Sequence, residues 1–421
     1  MKRLKVLTVV GTRPEIIRLS RVLARLDQHC DHILVHTGQN YDYELNEIFF
    51  NDLGIRKPDY FLGVAGGSAA ETIGNVIIGV DKVLAEVKPE AMLVLGDTNS
   101  CMSVLSAKRR KIPCFHMEAG NRCFDLRVPE EINRKIVDHL SDINMPYSEQ
   151  AKQNLINEGI HPAQIVKTGS PQKEILDYYK KSINKSKILS KLNLARGKYF
   201  VASIHREENV DSSEKLEKIV ESFNLITKHF KYKLILSLHP RTKIRMDEQK
   251  LKFGKNIVDL KPMGFFDYIS LQKDAYCVIS DSGTIFEESS ILGFPGITIR
   301  DAHERSEAMD EGTVIMTSLE EKELLTSIKV AVAQNKTNPP SVPSDYNVQQ
   351  VSWKVLKTIL SYKEYIDKYG NLPSDELNNI KDAYLNYYNN KIMQYKEKHE
   401  KIMKKHEMKK NLKNLLYNKR E

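Results

Sequence analysis

The chain has 421 residues, of which 41% are hydrophobic and 28% are charged; this is a globular composition, and the length exceeds what one core holds, so we expect two domains and an appendage. No segment approaches the ~18 consecutive apolar residues of a membrane span, and the first apolar segment is too short for a signal peptide, so a cytoplasmic protein is expected. The net charge of +9 is concentrated in residues 371–421, which hold twelve Lys and Arg against seven Asp and Glu, and the mildly basic remainder gives no indication of a nucleic-acid partner.

The first part of the chain alternates short apolar segments with amphipathic ones, which is the pattern of βαβ units in a parallel, doubly wound α/β sheet. Helices are predicted at 68–87 and 149–158. The predicted strands are Lys5–Val10, His32–His36, Ala91–Leu95, Ile112–His116, Ile143–Pro146 and Ile165–Thr168.

A polar, lysine-rich segment after Thr168 predicts a helix and a linker, and a second α/β unit begins near Tyr199. Two similar units joined in this way predict a ligand site in the cleft between them. The predicted strands of the second unit are Tyr199–Ile204, Lys233–Leu238, Ile257–Leu260, Tyr276–Ser280, Gly296–Ile299 and Thr313–Met316.

Two motifs of the first unit follow predicted strands. GTRPE, at residues 11–15, opens a helix, so its N–H groups and Arg13 suit an anion such as a phosphate. It is not GxGxxG, which argues against a dinucleotide at the first strand. In LVLGDTNS, Asp97 follows an apolar strand and is either a functional carboxylate or a helix N-cap.

The densest chemistry lies in residues 116–139, which carry five acids, three arginines and two histidines. Glu118 follows a strand, and Glu130 stands after Pro129 in the first turn of a helix. Carboxylates interleaved with arginines shift one another's pKa and are typical of proton transfer. A surface salt-bridge cluster is the alternative.

The second unit carries two histidines and a turn at strand ends. SIHREEN brings His205 to the cleft, and HPR brings His239 there. The turn at 282–284 opens a helix whose N–H groups suit a phosphate, and Glu287 and Glu288, one turn on, can accept ribose hydroxyls. Together with the fixed positive charge of Arg305, these features predict a nucleoside-diphosphate pocket.

Redox and metal chemistry are not expected. The five cysteines are odd in number and scattered, which indicates reduced thiols. The sequence has no flavin or nicotinamide fingerprint and no metal-ligand spacing, so neither a cofactor nor a metal is predicted.

The motifs GTRPE, GDTNS, HMEAG with PEEINR, HREEN, and DSGTIFEES with RDAHERSEA occur in this order over roughly residues 3–365. In order and spacing they resemble the non-hydrolysing UDP-N-acetylglucosamine 2-epimerase family. The resemblance implies a GT-B fold with Rossmann-like domains at 1–172 and 195–350 and a helix at 351–368 that crosses back to the first domain. Residues 371–421 lie beyond it and are predicted from their composition to form a basic helical extension. The resemblance also implies a homodimer and a UDP-sugar substrate.

The family's chemistry is anti elimination of UDP to a 2-acetamidoglycal, followed by return of UDP with the proton delivered to the other face of C2. The resemblance implies that Asp97, Glu118, Glu130 and His205 are catalytic, with the Asp97/Glu118 pair handling the C2 proton. The residues predicted to bind the substrate are Arg13, Arg18, Arg134, His239, Ser282, Gly283, Thr284, Glu287, Glu288 and Arg305.

The loop after Glu118 resembles, more narrowly, the branch that makes UDP-N-acetyl-L-fucosamine from UDP-2-acetamido-2,6-dideoxy-L-talose for capsule or O-antigen. Two departures stand out: Arg18 replaces the family's usual lysine, and the segment after Gln39 lacks the His-Arg type of sequence of the substrate-activated enzymes, so allosteric activation is not expected. The apolar environment that a 6-deoxy sugar needs has as candidates Cys123, Phe124 and the pair Tyr41 and Tyr43.

Several alternatives stay open at this point. A UDP-N-acetylglucosamine/UDP-N-acetylmannosamine 2-epimerase differs only in the sugar, while a GT-B glycosyltransferase or a non-catalytic sugar-nucleotide sensor would share the nucleotide pocket. The basic extension is a solvated helix, a self-association helix or a contact for an anionic membrane.

Overall fold

A computed structural model describes residues 3–39 and 43–369, together with 386, 387, 390, 391, 393 and 394. The strands in this part are β1 Lys5–Val10, β2 Asp31–His36, β3 Tyr60–Phe61, β4 Ala91–Leu95, β5 Cys114–Met117, β6 Ile143–Met145, β7 Tyr199–Ile204, β8 Lys233–Leu238, β9 Ile257–Leu260, β10 Cys277–Ser280, β11 Gly296–Thr298 and β12 Val314–Met316.

The helices of the same part cover the faces of the sheets. They are α1 Arg13–His29, α2 Tyr43–Asp52, α3 Ala69–Val87, α4 Val104–Arg109, α5 Pro129–Leu140, α6 Glu149–Asn157, α7 Gln172–Asn184, α8 Ile188–Lys191, α9 Glu207–Val210, α10 Ser213–Phe230, α11 Pro240–Glu248, α12 Phe265–Lys273, α13 Thr284–Leu292, α14 Ser306–Asp310, α15 Glu321–Thr337 and α16 Val351–Tyr369.

Across the described ranges the strands form two parallel six-stranded sheets, in the orders β3-β2-β1-β4-β5-β6 and β12-β11-β10-β7-β8-β9. Both sheets have the same topology, because in each the first strand is central, the next two lie on one side and the last three on the other. The connections diverge next to β1 and β7, and such switch points leave a crevice at the carboxyl ends of the strands. The predicted α/β fold of GT-B type is confirmed.

The central strands are buried on both faces, as parallel strands covered by helices must be. Val6, Leu7, Val9 and Val10 of β1 are fully buried. One core of the first sheet joins Leu7 and Val9 to the inner face of α3, and two cores sandwich the second sheet. This packing holds the strand ends, and therefore the loops that follow them, in defined positions.

The predicted strands largely agree with those observed, and one prediction is wrong. Ile165–Thr168 forms only an isolated bridge between Ile165 and Asn144, because the chain turns at Gly169, where φ is +83°. The short strand β3 was not predicted, since two residues cannot display a period.

The helix α16 packs against the first part of the chain. Trp353 contacts His29, with ring centroids 5.1 Å apart, and the guanidinium of Arg25 lies 4.3 Å from the Trp353 ring centroid. The Ser352 N–H donates to Glu174 at 2.8 Å. The predicted domain bounds stay a prediction, since residues 1–363 cluster as one compact unit.

None of the described helices combines the length and the low charge that a bilayer-spanning segment requires. Most of the predicted extension 371–421 lies outside the described residues.

Candidate active site

A cleft of about 470 Å³ lies at the carboxyl ends of the strands, between the two sheets. It is lined by loops that follow β1, β4, β5, β7, β8 and β10. The predicted site residues that line it are Arg13, Arg18, Asp97, Glu118, Glu130, His205, His239, Ser282, Gly283, Thr284, Glu288 and Arg305. The other two, Arg134 and Glu287, lie directly behind the lining and pair with residues in it.

The turn after β1 is built by its own sequence. Glu15 accepts hydrogen bonds from the Gly11 N–H at 3.0 Å and from the Thr12 hydroxyl at 2.8 Å. A Cβ on Gly11 would come within 2.0 Å of the Ser100 Oγ, so only glycine fits there. Burial raises the pKa of Glu15 to about 7, and its hydrogen bonds offset this only in part. The turn thereby brings Arg13 and a buried, weakly acidic carboxyl to the cleft.

Glu118 stands at the centre of an ion-pair quartet that spans the cleft. Both Arg18 and Arg305 donate to its carboxylate. The same two guanidiniums reach Glu287, at 2.7 Å from Arg18 and 3.6 Å from Arg305, and the Ser170 hydroxyl also donates to Glu287. Each guanidinium is therefore shared between one carboxylate from each half of the molecule.

The quartet controls the ionisation of Glu118. Burial alone would raise the pKa of this carboxyl, but the charges of Arg18 and Arg305 lower it to about 2. The residue has a φ of +63°, an uncommon conformation for glutamate. Glu118 is thus a buried carboxylate whose negative charge is fully compensated.

Asp97 is held by Arg134 from α5. The guanidinium donates through Nε to Oδ2 of Asp97 at 2.8 Å, and its Nη2 lies 2.7 Å from the same oxygen. Arg134 also pairs with the buried Glu131 at 2.9 Å. Glu131 in turn accepts the N–H groups of Cys123 and Phe124, so the loop between β5 and α5 is anchored to the same cluster that orients Asp97.

Glu130 faces the cleft opposite the second sheet. Its carboxylate is paired with Arg206, which follows β7, at 3.4 Å. Arg206 is nearly enclosed, and a further carboxylate, Glu304, lies nearby in the lining. The three predicted catalytic acids therefore come together on the wall formed by the first sheet, each beside an arginine.

His205 is oriented by a residue that the sequence did not single out. Its Nδ1 lies 3.0 Å from the fully buried Asp281 at the end of β10. Burial opposes ionisation of Asp281, but the His205 charge and hydrogen bonds from its loop lower the pKa of Asp281 to about 2. The His205 side chain is 41% exposed and lines the cleft.

The helix α13 begins at the cleft with the turn 282–284. A Cβ on Gly283 would lie 2.6 Å from the Glu304 carboxylate, so the backbone approaches that residue closely. Glu288 accepts from Gln272 at 2.8 Å, and burial raises the pKa of Glu288 to about 7. Glu288 is thus available to a ligand, whereas Glu287 is occupied by the quartet.

Glu15, Arg206 and Glu304 line the cleft but were not among the predicted site residues, and neither was Asp281, which pairs with His205. Glu304 pairs with Arg300 at 2.9 Å and with Arg134 at 3.9 Å. All four lie inside or beside motifs that the sequence marked. Arg206, Asp281 and Glu304 have partners in distant segments, so the motifs alone gave no signal to separate them from their neighbours.

The predicted environment of a 6-deoxy sugar is not assembled from the described candidates. Phe124 is 76% exposed, and the Cys123 thiol lies 3.3 Å from Glu131. Within the described residues, neither is part of the cleft lining. Tyr41 and the side chain of Tyr43 lie outside the described residues.

Comparison with known proteins agrees with this geometry. Residues 24–360 match the model of a family described as UDP-N-acetylglucosamine 2-epimerase. Among curated proteins, the chain is similar to a UDP-2,3-diacetamido-2,3-dideoxy-D-glucuronate 2-epimerase of Pseudomonas aeruginosa, with 34% identity over 337 residues, 79% of this chain and 93% of that protein.

Two solved structures are also similar. A UDP-N-acetylglucosamine 2-epimerase from Rickettsia bellii has a TM-score of 0.81 and 48% identity, covering 87% of this chain and 98% of that one. The Methanocaldococcus jannaschii UDP-GlcNAc 2-epimerase, in complex with UDP-GlcNAc and UDP, has a TM-score of 0.80 and 35% identity, covering 85% and 100%.

Proposed function

The chain belongs to the UDP-N-acetylglucosamine 2-epimerase family and is a non-hydrolysing UDP-sugar 2-epimerase; on that premise we propose that it converts UDP-2-acetamido-2,6-dideoxy-L-talose to UDP-N-acetyl-L-fucosamine for a surface polysaccharide. The observation that supports this reaction is the arrangement of Asp97, Glu118 and Glu130 on one wall of the cleft. They face His205 and the start of α13 on the other wall.

The reaction requires help because the C2 proton of the sugar has no adjacent carbonyl and is weakly acidic. In the proposed route, the bond between C1 and the diphosphate oxygen breaks, UDP leaves, and the C2 proton passes to a carboxylate to give the 2-acetamidoglycal. UDP then returns while a proton is delivered to the opposite face of C2. Carboxylates on both faces and cations at the diphosphate are therefore needed.

We assign the C2 proton to the Asp97/Glu118 pair, with Glu130 assisting. The guanidiniums of Arg18 and Arg305 compensate Glu118, and such pairing makes the carboxylate a weak base. The diphosphate of the substrate is a competing partner for Arg18 and Arg305, so its arrival would free Glu118 as the site becomes occupied. A general base of this kind contributes about 10²–10⁴-fold to the rate.

The leaving diphosphate is assigned to the second sheet. The backbone N–H groups at the start of α13 and the His205 ring face the cleft, and a helix start favours an anion. Glu288, with its raised pKa, is placed to hydrogen-bond the ribose.

A second candidate reaction is the interconversion of UDP-N-acetylglucosamine and UDP-N-acetylmannosamine. It is supported by the two similar structures, which are UDP-N-acetylglucosamine 2-epimerases; the Methanocaldococcus jannaschii enzyme is in complex with UDP-GlcNAc and UDP. The Pseudomonas aeruginosa relative, named for a different sugar, supports a family whose members differ in the hexose.

One experiment separates the two sugars and tests the route. The protein is incubated in D₂O with each UDP-sugar separately, and C2 is followed by proton NMR. Turnover of the 6-deoxy-L-talose nucleotide alone, with deuterium entering C2, is the expected result. Turnover of the glucosamine nucleotide alone would refute the sugar assignment, and epimerisation without deuterium at C2 would refute the elimination route.

We also propose that the enzyme is a homodimer. The support is a set of exposed apolar side chains on three neighbouring helices: Ile78 on α3, Leu105 on α4, and Ile132 and Ile136 on α5. An Ile78→Asp/Ile136→Asp variant should elute as a monomer in size-exclusion chromatography with light scattering. Ile244→Asp, which changes an exposed isoleucine on α11, is the control, and an unchanged dimer in the double variant would contradict the assignment.

The cytoplasmic location and any role of residues 371–421 in self-association or membrane contact stay predictions. Removing these residues and repeating the light-scattering and turnover measurements tests whether the dimer or the activity depends on them.

A further inference from the structure

Asp281 receives its hydrogen bonds from the loop that carries His205. Its carboxylate accepts the N–H of His205 at 3.0 Å, the N–H of Arg206 at 3.0 Å and the side-chain amide of Asn209 at 3.1 Å. The fourth partner is the Nδ1 of the His205 ring, also at 3.0 Å. One buried side chain at the end of β10 thus determines the course of the loop that follows β7.

The chemistry of this contact determines where the ring carries its hydrogen. An ionised carboxylate has no hydrogen to give and can only accept. Nδ1 of His205 must therefore be the donor, and Nε2 is the nitrogen left for a ligand. The Asp281 carboxylate is fully buried, while the imidazole is partly exposed to the cleft.

We propose that Asp281 is a positioning residue of the epimerase, which accepts the Nδ1–H of His205 and so turns Nε2 toward the departing diphosphate, to which Nε2–H donates when the ring is protonated. This inference rests on the proposed role of His205 at the leaving group. Asp281 also immediately precedes the turn 282–284, so the same residue sets the separation between the histidine and the start of α13.

A second pair in the same chain serves as an internal reference. His116 places Nδ1 2.9 Å from Asp138, much as His205 does with Asp281. Its Nε2, however, lies 2.8 Å from the Gly96 carbonyl, and the ring is fully buried. Both ring nitrogens of His116 therefore contact other groups inside the protein, whereas His205 lines the cleft with Nε2 left for a ligand.

The first test needs no substrate. Ring-nitrogen NMR spectra of ¹⁵N-histidine-labelled protein are recorded at about pH 8.5, where an ordinary imidazole is neutral. The signals of His205 are identified as those missing from the spectrum of His205→Asn. The expected result in the unmodified protein is hydrogen on Nδ1. In Asp281→Asn the amide can donate to Nδ1, so the hydrogen should move to Nε2. A bare Nδ1 in the unmodified protein would overturn the proposal, even if the variant fails to fold.

The second test is a double-substitution cycle on turnover. Asp281→Asn should lower kcat by about 10²–10⁴-fold, the range seen when the orienting carboxylate of a histidine is removed. In a His205→Asn background the same substitution should lower kcat by less than about threefold, because Asp281 affects turnover only by orienting the His205 ring. Equal losses in both backgrounds would mean a merely structural role and would overturn the proposal.

The two tests also separate this inference from the proposed function. A tautomer change without any loss of kcat would refute the role of His205 at the leaving group, on which the inference depends. Loss of activity with no change of tautomer would refute the positioning role and leave the function of His205 intact.

Discussion

Replacing Glu118 by glutamine removes the central carboxylate of the quartet and should affect stability and catalysis separately. The side chain is buried and pairs with Arg18 and Arg305. Its pKa falls from the ordinary 4.5 to about 2, and each pKa unit corresponds to about 1.4 kcal/mol. The ionised form therefore contributes about 3 kcal/mol to the free energy of unfolding at neutral pH. This agrees with the ~3–5 kcal/mol cost of removing one partner of a buried ion pair.

The sign of the pH dependence follows from the depressed pKa. The contribution of Glu118 is complete above the unfolded-state value of 4.5 and is lost as the pH falls through about 2. The difference in unfolding free energy between the unmodified protein and Glu118→Gln should thus be about 3 kcal/mol at pH 7 and shrink to about 1 kcal/mol at pH 3.

Urea unfolding at several pH values between 3 and 7 measures this difference, and deuterium entry at C2 measures catalysis. Epimerisation by Glu118→Gln should fall by about 10²–10⁴-fold. Glu158→Gln is the matched control, because Glu158 accepts from the buried Arg122 at 2.8 Å and lies outside the described cleft lining; it should keep its activity. A stability difference that does not change between pH 3 and 7 would refute the assignment of an ionised, doubly paired Glu118.

Three further changes test other parts of the site. Burial raises the pKa of Glu15 to about 7, so the stability that its neutral form contributes is complete below pH 4.5 and is lost as the pH rises through 7. The free energy of unfolding of Glu15→Gln, relative to that of the unmodified protein, should therefore be higher at pH 8 than at pH 5. Urea unfolding at both pH values measures this difference, and the reverse order would contradict the prediction. Asp97→Asn weakens the ion pair with Arg134 and should lower kcat by about 10²–10⁴-fold, while calorimetric titration should show that UDP affinity changes by less than about threefold; a lost UDP affinity would assign Asp97 to binding instead. Arg18→Lys keeps the positive charge but cannot span two carboxylates, so thermal unfolding should show a loss of about 1–3 kcal/mol with kcat kept within about tenfold; an unchanged melting temperature would contradict the bridging role.

Much of the fold could be predicted from the chain alone, because its signals are local. The strands β1, β4, β7, β8 and β9 coincide with predicted apolar segments. The strands β1, β4, β7 and β8 are mostly buried runs between amphipathic helices, as burial on both faces requires, whereas β9 at the sheet edge buries only Ile257. The two-residue β3 and the failed strand at 165–168 lay beyond this reasoning, since a short segment pairs or turns according to what surrounds it.

The motifs also indicated which strand ends carry charge, and therefore where the cleft lies. How the charges pair is visible only in the folded chain. Arg305 reaches Glu118 across 187 residues of sequence, and His205 meets Asp281 across 76. Such partners have no periodic signature, because the strength of a charge interaction depends on distance and burial in three dimensions and not on spacing along the chain. For that reason the motifs indicated the acids and the histidine of the site, whereas the quartet around Glu118 and the carboxylate behind His205 emerged only from the folded chain.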